Sequence, residues 1–182
     1  MQEYQRWLEK AASNEEIFQE LKAIAGHTEE IRDRFYRELE FGTGGLRGVL
    51  GAGTNRMNVY TVGKATQGLS HYLKRTFATP SVAIAYDSRI HSDLFAVTAA
   101  TIFAANGIAV HLYPRLMPTP ALSFAVRDLK CSGGVVITAS HNPAKYNGYK
   151  VYGPDGCQIT TQAAKEIQKE IDAVDPFEDV RR

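Results

Sequence analysis

The sequence is poor in cysteine. Only Cys131 and Cys157 occur among its 182 residues, which is too few for a disulfide framework. The two cysteines also lack the paired spacing of a zinc site. This usage predicts a protein of a reducing compartment, and we expect it to be cytoplasmic.

Long hydrophobic runs are also lacking. The longest apolar stretch, residues 96–110, is interrupted by threonine, asparagine and glycine and is too short to span a bilayer. The first ten residues contain no basic region followed by an apolar one, so they do not form a signal peptide. We therefore expect no membrane as a partner.

An excess of one charge sign is missing too, because 21 Lys and Arg face 20 Asp and Glu. This balance argues against nucleic acid as a partner. The charges are unevenly spread, however, since residues 41–160 carry eleven bases and only four acids. A cationic centre suits a small anionic ligand such as a phosphate ester. The alternative is that these side chains lie on solvated helix faces.

Apolar residues at helical spacing dominate residues 1–40, and we predict a helical N-terminal appendage there. Ser13 and Glu16 fit the capping box of its second helix, and Thr28 is expected to cap a third. The chain is 44% hydrophobic, with 15 Gly and 7 Pro, a composition typical of a folded domain. Residues 41–182 are therefore predicted to form a compact second unit.

Short β-prone runs alternate with helical segments between residues 41 and 182. The predicted strands are 81–86, 108–112 and 134–138, and the predicted helices are 58–76, 92–106, 118–130 and 161–173. Such alternation implies right-handed crossovers and a parallel sheet covered on both faces. The fold class predicted is α/β: a three-layer α/β/α domain with a mostly parallel sheet, to which residues 149–159 add a hairpin.

Ligands of such sheets gather at the carboxyl ends of the strands. The last predicted strand ends there in Thr-Ala-Ser-His-Asn-Pro, residues 138–143. Pro143 disfavours helical backbone at Asn142, so Ser140 is presented on a tight turn. The interpretation is a nucleophilic or phosphoryl-carrying serine, and the alternative is an ordinary polar turn. A hydrolase triad would need a separate base, for which His91 is the candidate.

Two more basic side chains are candidates for the same site. Six glycines lie between residues 42 and 53, and Arg47 among them has the planar fork that binds phosphate. The segment lacks the Lys and Ser/Thr of a P-loop. Strand alternation places Lys150 on the face away from Tyr149, from which it could return toward Ser140. Alternatively, Lys150 lies on the solvated side of an edge strand.

The first predicted strand also ends in polar residues. Asp87 and Arg89 follow it directly, and we expect them to form an ion pair that pins this loop. Direct participation in catalysis is the less favoured interpretation.

Four motifs occur in order along the chain: GTGGLRG, YDSR, TASHNP and NGYK. Together they resemble the first domain of the α-D-phosphohexomutases, the phosphoglucomutase and phosphomannomutase family, over about residues 40–175. TASHNP after a GGVVI strand is the most specific of them. The acidic helical start and residues 41–58 are more similar to the phosphoglucomutase and phosphopentomutase branch.

The resemblance implies an isomerase in which Ser140, as a phosphoserine, exchanges its phosphoryl group with a small-molecule sugar phosphate. A sugar 1-phosphate and 6-phosphate, or a pentose 1- and 5-phosphate, would interconvert through a sugar bisphosphate. It further implies that Lys150 or His141 transfers the proton. Phosphate would be contacted by three side chains, Arg47, Asn142 and Arg89.

The resemblance also implies cofactors that the complete enzyme would bind. Mg²⁺ is expected, with a phosphate oxygen on Ser140 as one ligand, and glucose 1,6-bisphosphate or a similar bisphosphate is expected as activator. The family's Asp-rich metal loop, sugar-reading loop and distal phosphate loop do not occur in these 182 residues. We therefore expect an N-terminal domain that partners the remaining mutase domains and is nearly inactive alone. The alternative function is a non-catalytic sugar-phosphate-binding module.

Overall fold

The computed structural model describes residues 1–42 and 44–182. Three short helices open the chain, α1 (Gln2–Lys10), α2 (Glu15–Ala23) and α3 (Thr28–Phe35), which confirms the predicted helical start. The predicted caps were wrong by one residue. Asn14, with extended backbone, caps α2 by accepting from the Ile17 amide at 3.1 Å, and Thr28 is the first residue of α3 rather than its cap.

The rest of the chain forms an α/β/α domain. Its elements are β1 (Leu46–Val49), α4 (Val59–Thr76), β2 (Ser81–Tyr86), α5 (Ser92–Ala105), β3 (Ala109–Leu112), α6 (Thr119–Asp128), β4 (Gly133–Ile137), β5 (Tyr146–Tyr152) and α7 (Thr161–Asp172). The predicted strand 81–86 is found unchanged, and the predicted helices are found with shifts of a residue or two. Of the predicted hairpin, β5 is a full strand, and one isolated bridge joins Tyr152 to Gln158.

The sheet has five strands in the order β1-β5-β4-β2-β3. Strand β2 pairs in parallel with β3 and β4, whereas β5 pairs antiparallel with both β4 and β1. The three predicted strands are therefore parallel, as expected, and the two strands beyond them make the sheet mixed. The direction reverses because a loop of eight residues returns β5 beside β4, which is too short for a parallel crossover.

Helices cover the two faces of the sheet unequally. One face packs against α4, α5 and α7 around a core that includes Ile84, Ile137 and Tyr149. The other face packs against α6, where a smaller cluster contains Ala83, Val136 and Leu122. No helix within residues 1–42 and 44–182 is long and apolar enough to cross a membrane.

Strand β1 was not predicted, because its four residues lie within the glycine-rich segment. It pairs along β5, with Leu46 opposite Tyr149 and Val49 opposite Tyr146. Gly45 precedes it at φ +101, and a Cβ there would lie 1.9 Å from the Tyr149 carbonyl oxygen. Only glycine allows this approach. Thr43 of the same segment lies outside the described residues.

The C-terminal tail closes over the helical start. Phe177 packs on Trp7, with ring centroids 5.3 Å apart, and Asp175 accepts a hydrogen bond from Arg6. Lys10 donates to Glu178 at 2.7 Å. The first three helices thus share a core with the tail and with the start of α4, and the boundary predicted at residue 40 stays a prediction.

Candidate active site

Ser140 lies at the tip of a loop that connects β4 to β5 at the carboxyl end of the parallel strands. Its side chain is exposed. Its amide donates to the Thr138 hydroxyl at 3.0 Å, and the Asn142 amide donates to the Ala139 carbonyl at 3.1 Å. These two bonds make the tight turn that the sequence predicts.

The backbone of Ser140 is left-handed, with φ +56. A residue other than glycine pays about 1–2 kcal/mol for this conformation, so the surrounding structure has to maintain it. The turn places the hydroxyl outward, beyond the end of the sheet, where a ligand can approach it.

His141 follows the serine directly and is also exposed. Its Nδ1 lies 3.4 Å from the Ser140 Oγ, at the long end for a hydrogen bond. His91, the alternative base, points elsewhere: its Nε2 lies 3.0 Å from Glu16 on α2, and its ring is tilted against Phe95. The structure therefore does not assemble a serine hydrolase triad from the described residues.

Arg47 approaches the loop from β1. Its Nη1 donates to the Asn142 side-chain oxygen at 3.2 Å, and the guanidinium is exposed. Leu46 belongs to the core beneath α4 and α7, so strand alternation puts Arg47 on the opposite face. The sequence separates Arg47 and Asn142 by 95 positions, and only the pairing of β1 with β5 brings them together.

Lys150 lies on that same face, since it is opposite Val136, which belongs to the cluster beneath α6. Strand β5 lies between β1 and β4, so the alternative that Lys150 stands on an edge strand was wrong. Within residues 1–42 and 44–182, neither Lys150 nor Arg47 has a carboxylate within 4.0 Å. Their charges are left to act on an anion.

Arg89 extends from the loop after β2 to the Ser140 loop, where it contacts backbone atoms. Nη2 donates to the carbonyl oxygens of Ser140 at 2.7 Å and Asn142 at 2.6 Å. Nη1 donates to those of Pro143 at 3.1 Å and Tyr146 at 3.0 Å. The expected ion pair with Asp87 is present, with 3.5 Å between Nε and the carboxylate.

A buried polar network supports Arg89, and the sequence reasoning missed it. Asp87 accepts from the Ser92 hydroxyl at 2.7 Å and from the Arg89 amide at 3.0 Å. Asn147, which is fully buried, donates to the Ser92 hydroxyl at 3.0 Å and to the Ile90 carbonyl at 2.9 Å. The only signal in the sequence was the asparagine that opens the NGYK motif.

Metal ligands are sparse on this domain. Among the described residues, no three His, Cys, Asp or Glu side chains cluster in a way that could hold a metal ion. Asp87, the carboxylate of the loop before α5, is already engaged by Arg89 and Ser92. A phosphate on Ser140 would be the one strong oxygen ligand here, and the residues present do not by themselves form a magnesium site.

Comparison with known proteins identifies a family. The family model described as phosphoglucomutase/phosphomannomutase, alpha/beta/alpha domain I, matches residues 38–177. The phosphoglucomutase of Staphylococcus epidermidis is 47% identical over 145 residues, which cover 80% of this chain and 27% of that protein. The phosphoglucomutase of Staphylococcus aureus is 41% identical over 175 residues, which cover 94% of this chain and 31% of that protein.

A solved structure agrees with these matches. The putative phosphomannomutase of Thermus thermophilus superimposes with a TM-score of 0.69 at 32% identity, over 80% of this chain and 31% of that one. The chain thus spans less than a third of the length of the curated relatives that it matches.

Proposed function

Because the chain belongs to the phosphoglucomutase/phosphomannomutase family and carries its domain I, we propose that Ser140 is a phosphoryl carrier in the isomerisation of a sugar phosphate. One observation carries the proposal. The Ser140 hydroxyl is exposed at the tip of a left-handed turn, and on the adjacent sheet face Arg47 and Lys150 have no carboxylate partner among the described residues. A phosphoserine brings a charge of about −1.5 to −2, which these cations would balance.

The chemistry follows from the atoms at the turn. A sugar hydroxyl attacks the phosphorus of phosphoserine 140, its O–P bond forms, and the bond from phosphorus to the Ser140 Oγ breaks. The hydroxyl gives its proton to a base, for which Lys150 and His141 are the two candidates, and the bisphosphate then returns its other phosphate to Ser140. Arg47 stabilises charge on the transferring group, and Asn142, which accepts from Arg47, orients it.

The complete reaction needs more than this domain. We assign Mg²⁺, a sugar bisphosphate activator and the recognition of the sugar to the complete enzyme, since a match to under a third of the relatives' length leaves room for those groups elsewhere. Mg²⁺ supplies charge neutralisation in phosphoryl transfer, and among the described residues a phosphate on Ser140 is the ligand that we assign to it. We expect a cytoplasmic enzyme of the phosphoglucomutase or phosphopentomutase type, of which these 182 residues alone are nearly inactive.

The first experiment detects the carrier directly. The complete gene product is incubated with glucose 1,6-bisphosphate and Mg²⁺, and added phosphate is located by intact mass and peptide fragmentation. We expect one phosphate on Ser140, transferable to glucose 1-phosphate. The Ser140→Ala variant should take up none while keeping its unfolding free energy within about 0.5 kcal/mol, because the side chain is exposed.

The same pair of proteins tests the alternative of a non-catalytic sugar-phosphate-binding module, which the free charges of Arg47 and Lys150 favour. If wild-type protein binds glucose 1-phosphate but neither accepts nor transfers phosphate, the module is the correct function. If Ser140→Ala removes turnover and leaves sugar-phosphate affinity largely intact, the mutase function is supported.

A further inference from the structure

The loop that carries Ser140 turns four carbonyl oxygens toward one guanidinium group. Arg89 receives the carbonyls of residues 140, 142, 143 and 146, at 2.6 to 3.1 Å. These residues run from the tip of the connection between β4 and β5 to the first residue of β5. A single side chain therefore links the tip of the loop to its β5 end.

The number of N–H groups on Arg89 limits what it can bind besides the loop. A guanidinium has five N–H groups and no acceptor. Four of them point to the loop carbonyls, and the Nε–H faces Asp87 at 3.5 Å. The four N–H groups on Nη1 and Nη2 are thus engaged by the backbone, so the sequence-based prediction of Arg89 as a phosphate ligand finds no support in this geometry.

We propose that Arg89 is a positioning residue for the reaction, which it serves by holding the Ser140 loop in its left-handed turn. This inference rests on the proposed function, since it assumes that phosphoryl transfer occurs at Ser140. A non-glycine residue at φ +56 persists only where its surroundings over-determine it. Charge-assisted hydrogen bonds to the carbonyl of Ser140 and to those of the residues that follow it meet that need.

The network beneath Arg89 fixes the guanidinium in turn. Asp87 is held by the Ser92 hydroxyl, which accepts from the buried Asn147 on β5. The loop after β2 and the strand after the serine loop are thereby joined through Arg89. Lysine would keep the charge but not this role, because its donors share one nitrogen and cannot span four separated carbonyls.

The test compares Arg89→Lys with Arg115→Lys in the complete gene product. Arg115 is exposed on the neighbouring loop between β3 and α6, so its variant controls for the same chemical change at the same end of the sheet. The readouts are the maximal rate of phosphate transfer from glucose 1,6-bisphosphate to Ser140 and the bisphosphate concentration that gives half of it. Thermal unfolding and hydrogen exchange of residues 138–146 are measured on the same samples.

We expect Arg89→Lys to lower the maximal rate about 100-fold, the loss typical of a reacting group displaced by about 1 Å. The half-saturating concentration should change little, exchange should rise within residues 138–146, and Arg115→Lys should match wild type. If instead the half-saturating concentration rises while the maximal rate is kept, Arg89 binds phosphate and the inference is wrong. An unchanged rate and unchanged exchange overturn it as well.

Chemical rescue separates positioning from a general loss of structure. In Arg89→Ala, guanidinium ion at non-denaturing concentration can enter the vacated space and bond to the same carbonyls. It should recover a measurable part of the lost rate, whereas sodium chloride at equal concentration should not. A wild-type protein that takes up no phosphate contradicts the proposed function itself, whereas a phosphorylatable wild type with a fully active Arg89→Lys contradicts only this inference.

Discussion

Tyr149 connects the strand that bears Lys150 to the helical layer behind the sheet. It is fully buried, and its hydroxyl lies 3.1 Å from the Thr66 hydroxyl on α4. Burial raises the pKa of this phenol well above its usual value, and the hydrogen bond with Thr66 offsets part of the rise. The phenol therefore stays neutral in the folded protein at pH values where it ionises in the unfolded chain.

A pH dependence follows from this residue. Its contribution to stability is complete below the unfolded pKa of about 10 and is lost as the pH rises above it, by up to about 1.4 kcal/mol per pH unit. Tyr149→Phe should cost about 1 kcal/mol near neutrality. It should also flatten, relative to wild type, the decline in unfolding free energy above about pH 10, the normal pKa of the phenol. Urea unfolding at several pH values measures both.

Tyr36→Phe is the control for this prediction, because Tyr36 is 57% exposed. It should leave the alkaline slope as in wild type. An equal slope in the Tyr149→Phe variant would show that other groups cause the decline.

The individual site residues were predictable to different degrees. Ser140, Arg47 and Lys150 stand in short motifs whose residue types already suit phosphate chemistry. The bonding partners of Arg89 are 51 to 57 positions away along the chain and are backbone atoms, which leave no mark on side-chain identity. The partner of His91 is on α2, so its distance from Ser140 likewise depends on tertiary structure alone.

Among the elements, β5 is the one that lies between the Ser140 loop and the strand of Arg47, and both approach it closely at Gly148. A Cβ on this residue would lie 2.6 Å from the carbonyl oxygen of Thr138 and 3.0 Å from that of Leu46. Thr138 begins the serine loop and Leu46 precedes Arg47. The absence of a side chain at Gly148 is therefore what lets the two flanking segments approach each other.

Gly148→Ala should separate these segments. We expect a loss of about 2 kcal/mol in unfolding free energy, because both obstructing atoms are backbone atoms that cannot rotate away. Phosphate uptake at Ser140 should fall in parallel. Chemical denaturation and the phosphate-mapping experiment measure the two effects.

Gly44→Ala supplies the matched comparison, since a Cβ there would lie 3.9 Å from the Gln158 side chain, its nearest contact among the described residues outside the adjoining positions. It should change stability by less than about 0.5 kcal/mol. If Gly148→Ala and Gly44→Ala lowered the unfolding free energy equally, contact of the new Cβ with backbone atoms would not be the cause of the loss.

The helices and strands differ in how well sequence patterns predict them. Strand β2 was predicted to the residue because it is a continuous apolar run buried between two neighbours. Strand β1 was missed because four residues among glycines carry no pattern, and its existence depends on pairing with β5, about 100 positions later. The α/β/α layers followed from alternation, whereas the direction of β5 depends on a turn that local propensity does not specify.

At the scale of the whole molecule, the two ends of the chain stabilise each other. Trp7, the single tryptophan, is fully buried and contacts the rings of Phe35, Tyr60 and Phe177. Its fluorescence therefore reports whether the tail is seated on the first helices.

Phe177→Ala should cost about 2 kcal/mol, because the removed ring is half-buried against Trp7 and Tyr60. The emission of Trp7 should shift to longer wavelength as water reaches it. Phe124→Ala removes a ring that is 60% exposed and should alter neither quantity. Unchanged Trp7 emission in Phe177→Ala would mean that the tail does not shield the indole.

This closure of the chain has a consequence for the order in which the protein is made. Arg6 leaves the ribosome before its partner Asp175, which comes 169 positions later, on the order of ten seconds at cellular rates of synthesis. Helices of eight or nine residues, such as the first three, are marginal by themselves in water. The three helices are therefore translated well before the tail that completes their core, and the Trp7 indole stays uncovered until Phe177 has emerged.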